Sequence, residues 1–326
     1  MDWGQIFNSA AGELLSPVTA AYALAAIGIG VHFGYAGLLN FGQAGFMAIG
    51  AYAFVIPTLL FDFPLWAALL SSVFASILFA FLLGIPTLRL RADYLAIVTI
   101  ASAEIVRYVV MTTGLTAITG GASGLSGFNS TFTALNPFAD GSYGFGPWVF
   151  TANQLWVRVF GWSLVVLASI LVFLLMRSPW GRVVKGIRED EDAVRSLGKN
   201  VYAYKMQALI LGGVFGSLAG VIYVLPRSVQ PTNYATTLTF FIWTMLLLGG
   251  AATILGPIVG AMIFAVLLTL SDGLIRGLIS ANIITFISST QAGQVRFMII
   301  GAVLMLLVIF RPQGIFGNKK ELSFNV

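Results

Sequence analysis

Long uninterrupted apolar runs are the feature of this 326-residue sequence that most limits what it can fold into. A helix of about 20 apolar residues spans the hydrocarbon core of a bilayer. Inside lipid, a helix satisfies all of its own backbone hydrogen bonds, whereas a membrane β-barrel would need alternating segments of about ten residues. Because the runs here are continuous, the sequence predicts an all-α, polytopic membrane protein.

Nine such runs predict about nine transmembrane helices, within a range of eight to ten, in one domain over residues 1–326. They lie near Pro17–Phe33, Leu38–Leu60, Pro64–Leu88, Tyr94–Thr112, Asn153–Met176, Lys205–Leu225, Thr237–Gly250, Pro257–Leu270 and Val295–Phe310. The seventh and eighth runs are short and meet at a Gly/Pro-rich junction, Gly249–Pro257. Such an interrupted pair is typical of broken or re-entrant helices at transport sites.

Composition restricts the partners of the chain. With 58% hydrophobic and 9% charged residues, it has too little polar surface to cover a water-exposed globule. The absence of cysteine and the single histidine, His32, argue against a metal site. The net charge of +5 comes from few Lys and Arg residues. It therefore indicates loops beside anionic membrane lipid and no nucleic-acid partner.

The distribution of basic residues in the loops predicts the orientation. Residues 113–154 contain no Lys or Arg and are predicted to form an external loop. Arg89 and Arg91, one span earlier, then lie in the cytoplasm, and so do residues 177–205, one span later. By the same count the basic C-terminal tail is cytoplasmic and the N-terminus is external.

Residues 177–205, here called the charged loop, hold eleven charged side chains in 29 positions. The stretch from Asp190 to Gly198 predicts one short helix, with acidic residues at its positive N-terminal end and a left-handed glycine at its C-terminal end. Ala193, Val194 and Leu197 are predicted to form a small apolar face. Such a face suits a groove on another subunit, and the alternative is a solvated helix without a partner.

Three further sets of polar side chains lie within apolar runs. Asn40 and Gln43 are one helical turn apart, and they are candidates either for a translocation path or for hydrogen bonds between helices. Glu104 and Arg107 have the i, i+3 spacing of an ion pair, with a contact to the transported solute as the alternative. His32 has no carboxylate neighbour in sequence, which favours a helix–helix hydrogen bond over a proton relay.

Small residues recur every four positions in two of the later runs. Gly212, Gly216 and Gly220 form two overlapping Gly-xxx-Gly steps, and Ala252, Gly256 and Gly260 repeat the pattern. In lipid, such stripes let helix backbones approach closely. We predict close packing at both stripes, either as fixed contacts or as sliding surfaces.

Five stretches, in this order, carry a family resemblance: Gly34–Tyr52, Arg91–Arg107, Gly181–Gly198, Leu248–Gly260 and Phe310–Gly314. Together they resemble the LivM-type permease subunit of the branched-chain amino-acid ABC importer family, and the second stretch resembles LivM-type rather than LivH-type subunits. Within the third stretch, the Glu-x-Ala-x-x-x-x-Gly pattern is similar to the coupling loop of ABC importer permeases.

The resemblance implies a large-type ABC importer permease fold and four kinds of partner: a LivH-like second permease, two cytoplasmic ATP-binding subunits, an extracytoplasmic substrate-binding protein and the lipid bilayer. It implies that six residues couple to the ATPases: Asp190, Glu191, Ala193, Val194, Leu197 and Gly198. The sequence contains no Gly-x-x-x-x-Gly-Lys-Ser/Thr motif, so ATP is expected on the partner subunits. Without a catalytic constellation, the chain is not expected to be an enzyme, and it needs no cofactor of its own.

The leading hypothesis is therefore a permease subunit in the cytoplasmic membrane that translocates branched-chain or related amino acids. A first alternative keeps the same machine with urea, short amides or another small polar solute as cargo. A second alternative is a stand-alone channel or ion-coupled carrier, in which the charged loop would have no partner. The scarcity of acidic residues in the apolar runs argues against ion coupling.

Overall fold

A computed structural model of the protein describes residues 3–89, 92–146, 148–281, 291–311 and 313–317. This part of the chain is mostly helical, as the apolar runs predicted. Its only sheet is a hairpin of two antiparallel strands, β1 (Ser142–Phe145) and β2 (Trp148–Thr151). The hairpin belongs to the long loop that precedes the fifth predicted span.

Within the described ranges, fourteen α-helices follow one another. They are α1 (Trp3–Glu13), α2 (Pro17–Ile29), α3 (Gln43–Phe61), α4 (Leu65–Thr87), α5 (Ala92–Met111), α6 (Thr116–Thr119), α7 (Ser130–Ala134), α8 (Ala152–Arg177), α9 (Pro179–Glu189), α10 (Glu191–Ser196), α11 (Val201–Val224), α12 (Thr236–Gly249), α13 (Gly256–Ser280) and α14 (Ala292–Phe310). A π-helix, Gly30–Tyr35, directly continues α2. Short 3-10 turns cover Thr113–Leu115, Gly121–Ser123 and Pro231–Tyr234.

Seven helices of the described part are long and apolar enough to cross a membrane. They are α2 with its π-helical extension, α3, α4, α5, α8, α11 and α13. The apolar helix α12 has only 14 residues, which at 1.5 Å per residue is about 21 Å and shorter than the ~30 Å hydrocarbon core. Each of the nine predicted runs coincides with a helix, but the number of crossings, about nine, stays a prediction.

The eighth predicted run was wrong in length. It was expected to be short and to end near Leu270, yet α13 continues to Ser280 and has 25 residues. The charged residues Asp272 and Arg276 ended the apolar run in the sequence. In the helix they lie one turn apart and neutralise each other, with Arg276 Nε 2.8 Å from Asp272 Oδ2. Of the predicted short pair, only α12 is short.

Two predicted boundaries also moved. The second run was expected to begin at Leu38, but α3 begins at Gln43, after a non-helical stretch. The sixth was expected to begin at Lys205, but α11 begins at Val201 because the Asn200 side chain accepts a hydrogen bond from the Ala203 N–H at 3.1 Å. This cap starts the helix a full turn before the apolar run.

Two helices form the centre of the bundle. Of the most apolar 18-residue stretch of each helix, 83% is buried in α2 with its extension and 72% in α11, against 17% in α5. The predicted glycine stripe lies at this central contact. A Cβ on Gly212 would lie 2.5 Å from the Gly28 carbonyl oxygen of α2, and one on Gly220 would lie 2.0 Å from the Met47 carbonyl oxygen of α3. The close packing predicted for this stripe is therefore confirmed.

The loops gather at the two ends of the bundle. At one end, Trp148 Nε1 of the hairpin donates to the Asn8 carbonyl oxygen of α1 at 3.2 Å, and Leu125 forms a β-bridge with Val229 just after α11. The charged loop lies at the other end of α11, which has 24 residues and is therefore about 36 Å long. The N-terminal helix and the predicted external loop thus share one end, and which end faces the cytoplasm stays a prediction.

Cysteine accessibility tests that orientation. The chain contains no cysteine, so a single cysteine at exposed Ser142 or exposed Ser196 is the only target for a thiol reagent. In intact cells, a membrane-impermeant maleimide is expected to label position 142 and to spare position 196. After permeabilisation both positions should react. Labelling of position 196 in intact cells, with position 142 protected, would reverse the predicted orientation.

Candidate functional site

The charged loop folds into two helices in series, α9 and α10. Ser178 caps α9, and Asp190 caps α10 by accepting a hydrogen bond from the Ala193 N–H at 2.9 Å. Gly198 follows α10 with a φ of +74°, a conformation in which a side chain would be strained. The predicted short helix from Asp190 to Gly198 is confirmed, together with its acidic start and its glycine stop.

The predicted apolar face of α10 is divided between two sides. Val194 is buried against Ile187 of α9 and Val201 of α11. Leu197, in contrast, is 77% exposed, and Ala193 is also exposed. The prediction of a single face was wrong because successive residues of a helix are about 100° apart, while residues i and i+4 are only about 40° apart. Val194 therefore turns into its own chain, and Ala193 and Leu197 share the outward side.

Charged side chains hold α10 in place. Arg195 pairs with Glu191 and with Asp192, each at 2.9 Å. These pairs are exposed, so each contributes little to stability. Lys205 of α11 reaches back to the second oxygen of Glu191. Together with Val194, that ion pair joins α10 to the start of α11.

The charged loop also contacts the irregular segment that follows α2. Arg188 Nη1, near the end of α9, donates to the Gly34 carbonyl oxygen at 2.5 Å. Gly37 has a φ of +68°, and a Cβ there would lie 3.2 Å from Arg188 Cγ. On the other side, a Cβ on Gly34 would lie 1.8 Å from the Ala251 carbonyl oxygen. The segment 30–42 is therefore packed tightly between α9 and the loop after α12.

His32 connects this segment to α11. Its Nε2 lies 3.0 Å from the Leu209 carbonyl oxygen, which can only accept a hydrogen bond. Nε2 must therefore carry the proton. Nδ1 of the neutral ring is then an acceptor, and Asn40 Nδ2 donates to it at 3.0 Å. The predicted helix–helix hydrogen bond of His32 is confirmed.

Asn40 and Gln43 complete a buried network. Both side chains are inaccessible to solvent. Asn40 Oδ1 accepts from the Gly42 N–H at 2.8 Å, and Gln43 Nε2 donates to the carbonyl oxygens of Ala25 and Gly212, each at 3.2 Å. The two amides thereby tie α3 to α2 and α11, as the hydrogen-bond alternative predicted. Their role at a translocation path stays a prediction.

Glu104 and Arg107 form a second polar cluster, on α5. Arg107 Nη2 lies 2.6 Å from Glu104 Oε2, and Glu104 Oε1 accepts a hydrogen bond from the Thr236 N–H at 3.0 Å. Thr236 is the first residue of α12, so the carboxylate lies at the positive end of that helix. This geometry describes a structural ion pair that anchors α12. None of its hydrogen bonds within the described chain reaches Asn40 or Gln43.

The contact of Glu104 with α12 predicts a difference in melting temperature between two variants. Glu104→Ala leaves Arg107 and the Thr236 N–H without their acceptor, and the loss of such charged hydrogen bonds costs about 1.5–3 kcal/mol each. We expect a clear fall in the melting temperature of the purified protein. Arg276→Ala is the matched control, because it breaks an exposed i, i+4 pair worth about 0–1 kcal/mol. Equal melting temperatures for the two variants would contradict the anchor.

Sequence reasoning missed two residues of this site. Arg188 was counted only as a charge of the loop and as part of the resembling stretch Gly181–Gly198, and Trp243 only as part of an apolar run. In the fold, Arg188 joins α9 to Gly34, and Trp243 Nε1 donates to the Asn40 carbonyl oxygen at 3.0 Å. Gly34 and Gly37 were the available signal that another element packs against this segment. A backbone that is approached this closely leaves no room for a side chain.

A bundle of apolar helices, seven of them in the described part long enough to cross a membrane, has the architecture of a polytopic helical membrane protein. The family model described as "Branched-chain amino acid transport system / permease component" matches residues 14–309. The chain belongs to this family.

Individual relatives agree with the family match. The chain is 31% identical to the high-affinity branched-chain amino acid permease protein LivM of Salmonella typhimurium, over 92% of the chain and 69% of that protein. It is 26% identical to a probable LivM of Methanocaldococcus jannaschii, over 91% of each. LivH of Escherichia coli is 27% identical over 92% of each. A guanosine ABC transporter permease of Bacillus subtilis, NupQ, is 26% identical over 79% of the chain and 82% of that protein.

Proposed function

We propose that this chain is a membrane-spanning permease subunit of an ATP-driven importer for branched-chain or related amino acids. The observation that carries the proposal is the family match over residues 14–309. Relatives named LivM that match 92% and 91% of the chain support this cargo. In this proposal the chain is one domain over residues 1–326, with the large-type importer permease fold and about nine crossings.

The proposed assembly contains a LivH-like second permease, two cytoplasmic ATP-binding subunits and an extracytoplasmic substrate-binding protein. ATP is bound and hydrolysed by the partner subunits, so the chain needs no cofactor and is not an enzyme by itself. It lies in the cytoplasmic membrane, with its C-terminus and the charged loop on the cytoplasmic side. The relatives named LivM and LivH support a permease pair of two different chains.

Coupling to the ATPases is proposed to occur at the outward side of α10. Leu197 is an apolar side chain that is 77% exposed, next to exposed Ala193 and surrounded by charges. An apolar anchor with a charged rim suits a groove on another protein. Asp190 and Gly198 fix the two ends of α10, while Glu191 and Val194 hold it to the rest of the chain.

Movement of α10 would reach the centre of the bundle through direct contacts. Val194 makes α10, α9 and α11 move together, and Arg188 links α9 to the π-helix at Gly34. The π-helix contains His32, which bonds Asn40 and α11. We place the translocation path beside this network, with Asn40 and Gln43 positioning the helices that line it. In the same scheme Glu104 and Arg107 hold the outer end of α12.

Two alternatives differ in what they require. Another small polar cargo, such as urea, a short amide or a nucleoside, would use the same assembly, and the match to a guanosine permease favours testing nucleosides first. A stand-alone channel or ion-coupled carrier would work without partners. The exposed Leu197 and the family match support the importer over the carrier.

Reconstitution tests the proposal. The chain is assembled in proteoliposomes with a LivH-like permease, two ATPases and a binding protein from the same organism, and uptake of labelled leucine, guanosine and urea is measured. Leucine uptake that requires ATP and the binding protein is the expected result. Uptake of guanosine or urea without uptake of leucine would assign a different cargo to the same assembly. Uptake by the chain without its partners would replace the importer with a carrier.

A further inference from the structure

A cleft of about 560 Å³ lies at the end of the bundle that carries the hairpin. It is formed where α8 begins, between strand β2, helix α7 and the segment after α11. Four of its lining residues matter here: Asn129, Phe150, Trp156 and Arg158. None of them belongs to the proposed coupling site or to the buried amide network, so the cleft is separate from both.

Arg158 is the charged residue of this cleft. Its guanidinium carbon lies 3.7 Å from the centre of the Phe150 ring, and its Nη1 donates to the Gln154 carbonyl oxygen at 3.3 Å. Its Nε is buried and makes no hydrogen bond to the described chain. Glu13 attracts it electrostatically, but no ion pair among the described residues includes Arg158. A partly buried cation of this kind favours an anionic ligand.

Asn129 requires a hydrogen-bond donor from the ligand. Its Nδ2 donates to the Leu225 carbonyl oxygen at 2.8 Å, while its Oδ1 is buried without a donor in the described chain. An amide oxygen can only accept a hydrogen bond, so it calls for an N–H or O–H group. The cleft therefore suits a ligand that carries an anion for Arg158 and a hydrogen-bond donor for Asn129.

The position of the cleft selects among such ligands. Arg158 is the seventh residue of the 26-residue helix α8, about 9 Å from its start, so its long side chain can reach the headgroup layer at this end of the span. Val149, which lines the cleft, is 53% exposed, as expected for an apolar residue that meets acyl chains. Trp156 lines the cleft, and tryptophan is enriched at this level of membrane proteins.

We propose that the cleft binds the headgroup of a glycerophospholipid that has an N–H or O–H donor beyond its phosphodiester. Arg158 binds the phosphodiester oxygens, and Asn129 Oδ1 accepts from the ethanolamine ammonium or the glycerol hydroxyl. Choline lipids have the same phosphodiester but no such donor, so the cleft discriminates against them. This proposal is independent of the cargo and of the coupling mechanism.

Native mass spectrometry of the full chain in mild detergent, with equal amounts of phosphatidylethanolamine, phosphatidylglycerol and phosphatidylcholine, measures the binding. The wild type is expected to retain the first two lipids in preference to the third. Arg158→Gln should reduce retention of both about tenfold, since it removes a charge-assisted contact. Arg158→Lys keeps the charge and should retain most of the lipid, which separates a lost contact from a misfolded chain.

Two further variants complete the test. Asn129→Leu is expected to remove the preference over phosphatidylcholine while phosphodiester binding persists. Arg276→Gln is the matched control and should bind lipid like the wild type, because its charge is paired with Asp272. Equal retention by the wild type and Arg158→Gln, or no preference in the wild type, would overturn the proposal. So would Arg158-dependent binding of labelled leucine without bound lipid, which would make the cleft a cargo site.

Discussion

Replacing Leu197 with Asp is expected to reduce ATP-driven uptake by more than tenfold while the chain inserts at normal levels. Leu197 is 77% exposed, so the substitution should change the stability of the chain by less than about 0.5 kcal/mol. In the proposed importer the same position would enter a groove of an ATPase, where an unpaired charge would cost several kcal/mol. Each 1.4 kcal/mol is a factor of ten in binding.

Copurification of the ATPases with the tagged chain, together with uptake in proteoliposomes, measures this effect. Arg195→Ala is the matched control, because Arg195 lies about 200° around the helix from Leu197 and is also exposed. Val194→Asp provides the opposite contrast, since it would bury a charge within the chain itself and should lower the amount of folded protein. If Leu197→Asp keeps its ATPases and transports normally, α10 is not the coupling helix.

Asn40→Leu is expected to destabilise the chain by several kcal/mol. The substitution leaves His32 Nδ1 and the Gly42 N–H without their partners and also removes the contact to Gln43 Oε1. Each unsatisfied buried group costs about 1–3 kcal/mol, and a typical folded domain has only about 5–15 kcal/mol of net stability. We therefore expect little folded protein at 37 °C, and transport that falls with it.

Size-exclusion chromatography after heating detergent-purified protein measures that loss. Ser76→Ala is the matched control, because Ser76 is also inaccessible to solvent but its hydroxyl has no hydrogen-bond partner in the described chain. Removing an unpaired buried hydroxyl should leave the melting temperature nearly unchanged. An Asn40→Leu variant that melts like the Ser76→Ala variant would mean that the network contributes little to stability.

Local chemistry explains what could be predicted at the charged loop. Asp190 accepts a hydrogen bond from a backbone N–H three residues ahead, and Gly198 adopts a left-handed conformation that a side chain would strain. Both properties depend only on neighbouring residues, so they could be predicted from the sequence. The side to which Val194 turns depends instead on Ile187 and Val201, which lie on other helices.

The same distinction holds for the bundle. Continuous apolar runs by themselves determined that the chain is helical and spans the membrane, because lipid offers no partner for an open backbone. Only the tertiary structure decided that Asn40, Gln43 and His32 bond to one another and to Leu209 and Gly212, residues more than 160 positions away. Hydrogen bonds between distant segments depend on which helices pack together. That packing is set by close backbone contacts, such as Gly212 against Gly28, which hydrophobic patterning does not encode.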